Sequence, residues 1–315
     1  MIQQRQLGAN GPRVSRLCFG ALTISPIQLN MESRAAGALI DYAFAKGINC
    51  LDTAEFYQSY AQYSNAQTAQ KGGMLFITKC HAYDRSGAQA SLQRALSETG
   101  LSRIGIMMLH EQESEWTLRG HAEALAYFTE QKALGRIGQV GISTHFVACA
   151  KAAAGWPGID VIEAICNEEG IGVADGTQQE MNEALALAHQ NGKGVIAMKA
   201  LAGGHFRGHS ERALQYALDL PFVDTVALGM QSKEEVDYNL SLLAGKPDLA
   251  AKVQLRTQPR TLHIADWCQG CGACERRCQS QAIHVLNGRA QVDAERCVLC
   301  GYCARACKEF CIKVY

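Results

Sequence analysis

The 315-residue sequence carries no net charge, no long apolar run and no export leader, and each absence removes a class of function. Thirty Lys and Arg residues balance thirty Asp and Glu residues. There is therefore no electrostatic case for nucleic acid or for an acidic membrane surface. No stretch approaches the roughly 18–20 apolar residues of a membrane span, and the polar start MIQQRQLGANG has no signal-peptide core. A soluble cytoplasmic protein is expected, with small molecules as substrates and a redox protein as a candidate partner. No GxGxxG follows an early strand, which weakens the case for a doubly wound open sheet without removing it. Without an export signal, the fourteen cysteines do not suggest a disulfide framework. Nine of them lie in the last 48 residues, which favours thiolate ligation of metal. The other five, Cys18, Cys50, Cys80, Cys149 and Cys166, sit mostly in apolar runs and read as small buried hydrophobes.

Eight of the clustered cysteines form two copies of C-x2-C-G-x-C-x3-C: Cys268, Cys271, Cys274 and Cys278, then Cys297, Cys300, Cys303 and Cys307. This spacing resembles that of a bacterial two-cluster ferredoxin. The resemblance implies two [4Fe-4S] clusters, each taking its fourth thiolate from the other repeat. One would use Cys268, Cys271, Cys274 and Cys307, and the other Cys297, Cys300, Cys303 and Cys278. Zinc is the alternative, disfavoured by the double x2 spacing followed by x3. The repeats align at an offset of 29, which places Cys311 opposite Ala282 and makes it a core residue beside a cluster or a spare thiol. Between them, AIHVLNGRAQVDAERC reads as two strands joined by a turn at Asn287 and Gly288.

Upstream, a polar lead-in that could form a hairpin precedes a first strand over Arg16–Ile24. Short β-rich runs then alternate with helical stretches: INCLD, MLFITK, IGIMMLH, GQVGIS, VIEAIC, GVIAMK and TVALG. Eight strands, each followed by a helix, predict a (β/α)8 barrel over 1–245. A linker at 246–260 and a small α+β cysteine domain at 261–315 complete the chain. A unit this short buries little apolar surface, so its clusters would contribute to its stability.

Catalytic groups of such barrels collect at the C-terminal ends of strands. INCLD ends in Asp52, FITK in Lys79 and IMMLH in His110, with Tyr57 five residues past Asp52. A phenol titrating near pH 10 is a weak acid, and a neighbouring ammonium should favour its phenolate and lower its pKa. Asp52 would hold Lys79 charged, and His110 would orient a carbonyl oxygen beside Tyr57. The pair His205 and His209 reads as loop, with no third metal ligand evident.

The tetrad, together with GRIGQVGIST (Gly135 to Thr144) and MKALAGG (Met198 to Gly204), resembles the aldo-keto reductases over residues 1–245. The resemblance implies Tyr57 as general acid, Lys79 and Asp52 as its tuning pair, His110 as orienter, and NAD(P)H as cofactor. It places Ser143 and Asn167 at the nicotinamide carboxamide, with Leu201, Gly203 and Gly229 near the pyrophosphate and Asn239 in the cofactor-binding set. Three positions depart from the family pattern: Met198 stands where many relatives stack a tyrosine, Glu235 where an arginine binds the 2'-phosphate, and Tyr238 where a glutamate precedes Asn239.

Three functions remain open at this point. The first is an oxidoreductase that reduces the carbonyl of a small molecule with NAD(P)H, or runs the reverse oxidation of the alcohol, with the cysteine domain as an attached electron-transfer module. In the second, nicotinamide is not used: the clusters deliver single electrons to a substrate in the barrel, and the tetrad stabilises a ketyl and supplies protons. The third is a non-catalytic electron carrier or redox-responsive module. No flavin motif is present to mediate between one- and two-electron chemistry.

Overall fold

A computed structural model describes residues 2–206, 209–248, 250, 252 and 261–314. Eight parallel strands close into a barrel: β3 (Leu17–Gly20), β4 (Cys50–Asp52), β5 (Leu75–Cys80), β6 (Ile104–Leu109), β7 (Ile137–Thr144), β8 (Val161–Ile165), β9 (Gly194–Met198) and β10 (Thr225–Gly229). Closure between β10 and β3 excludes the open sheet. The polar lead-in is the expected antiparallel hairpin, β1 (Gln4–Gln6) with β2 (Arg13–Ser15). The first barrel strand is shorter than Arg16–Ile24. Its last pair is Gly229 with Gly20, and where its partner ends the chain turns into a 3-10 segment at Ala21–Ile24.

Inward-facing residues alternate along a strand, and that period of two builds the site. Cys18, Cys50, Ile77, Ile106, Met108, Val161 and Ile196 fill the barrel interior, and Leu7 and Val14 of the hairpin pack into the same cluster. Two residues further along their strands stand Asp52, Lys79, His110 and Glu163, so the next inward layer is polar. All five cysteines outside the tail are buried, as small hydrophobes would be. Helices pack on the outer face of the sheet, and several end on a glycine. The helix Arg85–Thr99, for example, is closed by Gly100 at φ 74°, a conformation that costs a Cβ-bearing residue more.

The last barrel helix is Lys233–Leu243, and most of the linker 246–260 lies outside the described residues. Residues 261–314 form a separate two-fold arrangement. Strand β11 (Leu262–Ile264) pairs with β14 (Ile312–Val314), and β12 (Ile283–Leu286) with β13 (Arg289–Val292), all antiparallel. The turn at Asn287 and Gly288 joins β12 and β13 with both residues at positive φ, as expected. The 29-residue offset holds for the backbone itself. Gly270 matches Leu299, Gly272 matches Gly301 and Gln281 matches Phe310, every one at positive φ, and helix Ala273–Arg277 matches helix Tyr302–Ala306. Among the described residues, no helix is long and apolar enough to cross a membrane.

Candidate active site and cysteine sites

At the C-terminal end of the barrel, Lys79 is buried between two carboxylates. It donates to Asp52 and to the Thr53 carbonyl at 2.9 Å, and its Nζ lies 3.0 Å from Glu163. Tyr57 ends a 3-10 turn, Glu55–Tyr57. Its ring centre is 5.7 Å from Lys79 Nζ and 5.7 Å from the His110 ring in an edge-on contact. Asp52, Tyr57, Lys79 and His110 thus converge, joined by Glu163, which was not anticipated. His81, immediately after β5, stacks on His110 at 4.7 Å.

Burial opposes the Lys79 charge, but Asp52 and Glu163 outweigh it and raise the ammonium's pKa. Burial and the Asp52 carboxylate push Glu163 up to about 7 despite Lys79. The Lys79 effect anticipated at Tyr57 exists but does not win. Desolvation raises the Tyr57 pKa, Lys79 lowers it, and Asp52, Glu163 and Glu111 raise it further, so the net direction is upward. The lysine pairs with two carboxylates, and little of its positive charge remains uncompensated for the phenol. Tyr57 is consequently held protonated. His110 is held neutral by burial and then by Lys79, with His81, His145 and Lys199 adding to the effect. Its Nδ1 is buried without a hydrogen-bond partner among the described residues.

A carboxyl pKa raised on folding means that the native state holds its proton more tightly than the unfolded chain. The Glu163 contribution is therefore present in acid and is lost as pH rises from about 4.5 through about 7. Glu163→Gln should flatten that decline, and denaturant unfolding of both proteins between about pH 5 and pH 8 checks it. Parallel stability profiles would contradict the assignment.

The residues assigned to nicotinamide are largely engaged elsewhere. The buried Asn167 amide donates to the Ile171 carbonyl at 2.9 Å and accepts from the Ile171 N–H at 3.0 Å, closing its own loop. Ser143 accepts from the Glu111 N–H at 2.9 Å. A Cβ on Gly229 would fall 2.3 Å from Thr23 Cγ2, and one on Gly203 would fall 2.4 Å from Phe310 Cδ1. Glu235 accepts from the Gln231 N–H at 2.7 Å, so its carboxylate already occupies the start of helix Lys233–Leu243. Leu201 packs with Ala202, Phe206 and Phe310, and Asn239 is half-buried on the last barrel helix.

Phe310 belongs to the C-terminal unit, which sits over the barrel mouth. His263 hydrogen-bonds the Ile27 backbone, Trp267 lies 6.4 Å from Phe56, His205 Nε2 is 3.1 Å from the Cys307 carbonyl, and Lys313 donates to the Gly203 carbonyl at 3.1 Å. His205 therefore serves the interface. His209 instead lies with Glu168 and Glu169.

Within that unit the thiols gather in two cavities. One is lined by Cys268, Cys271, Cys274 and Cys307, and the other by Cys278, Cys297, Cys300 and Cys303. Backbone N–H groups reach two of the sulfurs, from Ala290 to Cys268 at 3.4 Å and from Ala282 to Cys278 at 3.2 Å. Cys311 is buried, with its Sγ 3.2 Å from that of Cys307, and it also lines the first cavity.

The Aldo/keto reductase family model matches residues 16–213. L-galactose dehydrogenase of Arabidopsis thaliana is 23% identical over 285 residues, covering 76% of this chain and 88% of that one. Among solved structures, the holo form of aldo-keto reductase AKR11C1 from Bacillus halodurans superposes with a TM-score of 0.66 at 21% identity, over 81% of this chain and 95% of its own. An aldo-keto reductase structure from Pseudomonas aeruginosa gives 0.65 at 21% identity, over 77% and 95%. The chain belongs to the aldo/keto reductase family.

Proposed function

We propose that this oxidoreductase reduces the carbonyl of a small molecule with Tyr57 as proton donor, drawing electrons from two [4Fe-4S] clusters in the C-terminal unit in place of a bound nicotinamide. The observation that carries this reading is the seating of Phe310 against Gly172 and Gly203, where Cβ atoms would meet its ring at 2.6 and 2.4 Å. Gly203 belongs to the stretch to which the family resemblance assigns the cofactor pyrophosphate. The donor sets fit the clusters: each cavity offers three thiols from one repeat and a fourth, Cys307 or Cys278, from the other, with Cys311 as an additional thiol at the first. When bound, the clusters supply electrons one at a time, two together matching the two-electron reduction of a carbonyl.

The protein's own groups do the rest. Neutral His110, with an unpartnered ring nitrogen, orients the carbonyl oxygen. Tyr57, kept protonated, donates to that oxygen, and the second proton comes from solvent. Lys79, Asp52 and Glu163 hold the field beneath the phenol. The covering unit brings Trp267, next to Cys268, to Phe56, which lies 6.5 Å from His81, itself stacked on His110. Packed side chains thus connect the first cysteine site to the tetrad. The external reductant would be a low-potential one-electron protein donor.

The second reading keeps NAD(P)H, which the family generally uses, and family membership itself favours it. Anaerobic titration of the cluster-loaded protein with NADH and NADPH separates the two. The first reading predicts no saturable fluorescence change and turnover driven by dithionite. Saturable nicotinamide binding, with carbonyl reduction that survives cluster loss, would establish the second.

A further inference from the structure

We propose that the carbonyl substrate bears an anionic group, a carboxylate or a phosphate, held between Lys199 of the barrel and Lys313 of the C-terminal unit. This rests on the reading of Tyr57 and His110 as the carbonyl end of the site.

Lys199 follows β9 directly, on the same rim as Lys79 and His110. It adopts φ 55°, a left-handed conformation that a lysine rarely takes and that persists where surrounding structure imposes it. Its carbonyl accepts from the Ala202 N–H at 2.7 Å, which fixes the turn. Its Nζ lies 4.4 Å from the centre of the Phe310 ring. Lys313 Nζ lies 5.8 Å from the centre of the same ring. Two ammonium groups, one from each unit, therefore gather around one aromatic ring at the mouth.

Among the described residues, neither forms an ion pair with a carboxylate. The lysine ion pairs among the described residues are those of Lys46, Lys79, Lys132 and Lys252. The Phe310 ring face and the Gly203 carbonyl satisfy part of the pair's demand but neutralise none of its charge. Burial lowers Lys199 to about 8, with Glu111, Glu163 and Glu309 opposing. Two ammonium groups gathered around one ring repel one another, and an anion that reaches both relieves that repulsion. Lys199 directly follows Met198 at the C-terminal end of β9, and the tetrad gathers at the same end of the barrel.

Isothermal titration of the cluster-loaded full chain, without reductant, tests this with matched pairs: pyruvate and methyl pyruvate, 4-oxopentanoate and its methyl ester, glyceraldehyde 3-phosphate and glyceraldehyde. The charged member of at least one pair should bind roughly tenfold tighter. The pair that discriminates says whether the group is a carboxylate or a phosphate. Lys199→Met should erase the difference and leave the neutral partner's Kd unchanged. Lys199→Arg should preserve it, and Lys313→Met should reduce it with cluster absorbance unaltered. Equal binding within every pair, no binding by any charged compound, or a Lys199→Met loss shared by both members would overturn the proposal. If electrons come from nicotinamide instead, turnover would depend on NAD(P)H while this binding pattern stayed intact.

Discussion

Tyr57→Phe should lower carbonyl turnover by about 10²–10⁴-fold, the usual contribution of a positioned general acid, while cluster spectra remain unchanged. The substitution removes one hydroxyl and keeps the ring that contacts His110 at 5.7 Å, so the site keeps its shape and loses its donor. The direction of the phenol's pKa adds a second signature. Because burial pushes it upward, Tyr57 stays protonated through the neutral and mildly alkaline range. Wild-type reduction should therefore show no decline attributable to tyrosine ionisation below about pH 10. Retained turnover in the phenylalanine variant would remove Tyr57 from the chemistry.

The second large effect is expected at the crossing thiols. Cys278→Ala should empty the site lined by Cys297, Cys300 and Cys303, taking about four of about eight iron atoms per chain and leaving the other cluster's EPR signal in place. Cys307→Ala is expected to be milder, because the Cys311 sulfur stands 3.2 Å from that of Cys307 and lines the same cavity. The pair Cys307→Ala with Cys311→Ala should lose that cluster outright. Since this unit is small and buries limited apolar surface, either loss should also destabilise it. Iron analysis and EPR of the three variants decide the ligand sets. Loss of the signal belonging to the mutated residue's own repeat would show that the thiols do not cross.

Much of this was legible because strand and repeat periodicities are local. Alternation along INCLD, FITK and IMMLH announces Asp52, Lys79 and His110, and the offset of 29 residues announces a two-fold unit down to matched positive-φ positions. Glu163 was missed although VIEAIC shows it, an acid alternating with apolar residues inside a strand. Lys199 was missed although GVIAMK ends in a lysine as FITK does, the same signal that revealed Lys79. Phe310 and Lys313 carry no such mark. Their meaning comes from where a second unit docks, which no local pattern encodes. The reversed direction at Tyr57 has a similar origin. Spacing reveals a lysine beside a phenol, but only three-dimensional packing reveals two carboxylates already neutralising that lysine and the desolvation around the ring.

The same docking motivates the electron source proposed above. A family resemblance counts residues, and Asn167, Gly203 and Gly229 are all present. The structure adds that an amide is engaged by its own loop, one glycine lies under Phe310 and the other under Thr23.

The most direct measurement is a nicotinamide-free single turnover. The chain is reduced with dithionite, freed of excess reductant and mixed anaerobically with a panel of small aldehydes and oxo acids while cluster absorbance is followed. Cluster reoxidation in step with about one alcohol formed per chain is the predicted result, since two one-electron centres hold one carbonyl reduction. Clusters that stay reduced against the whole panel, while NADPH supports reduction by the same preparation, would contradict it.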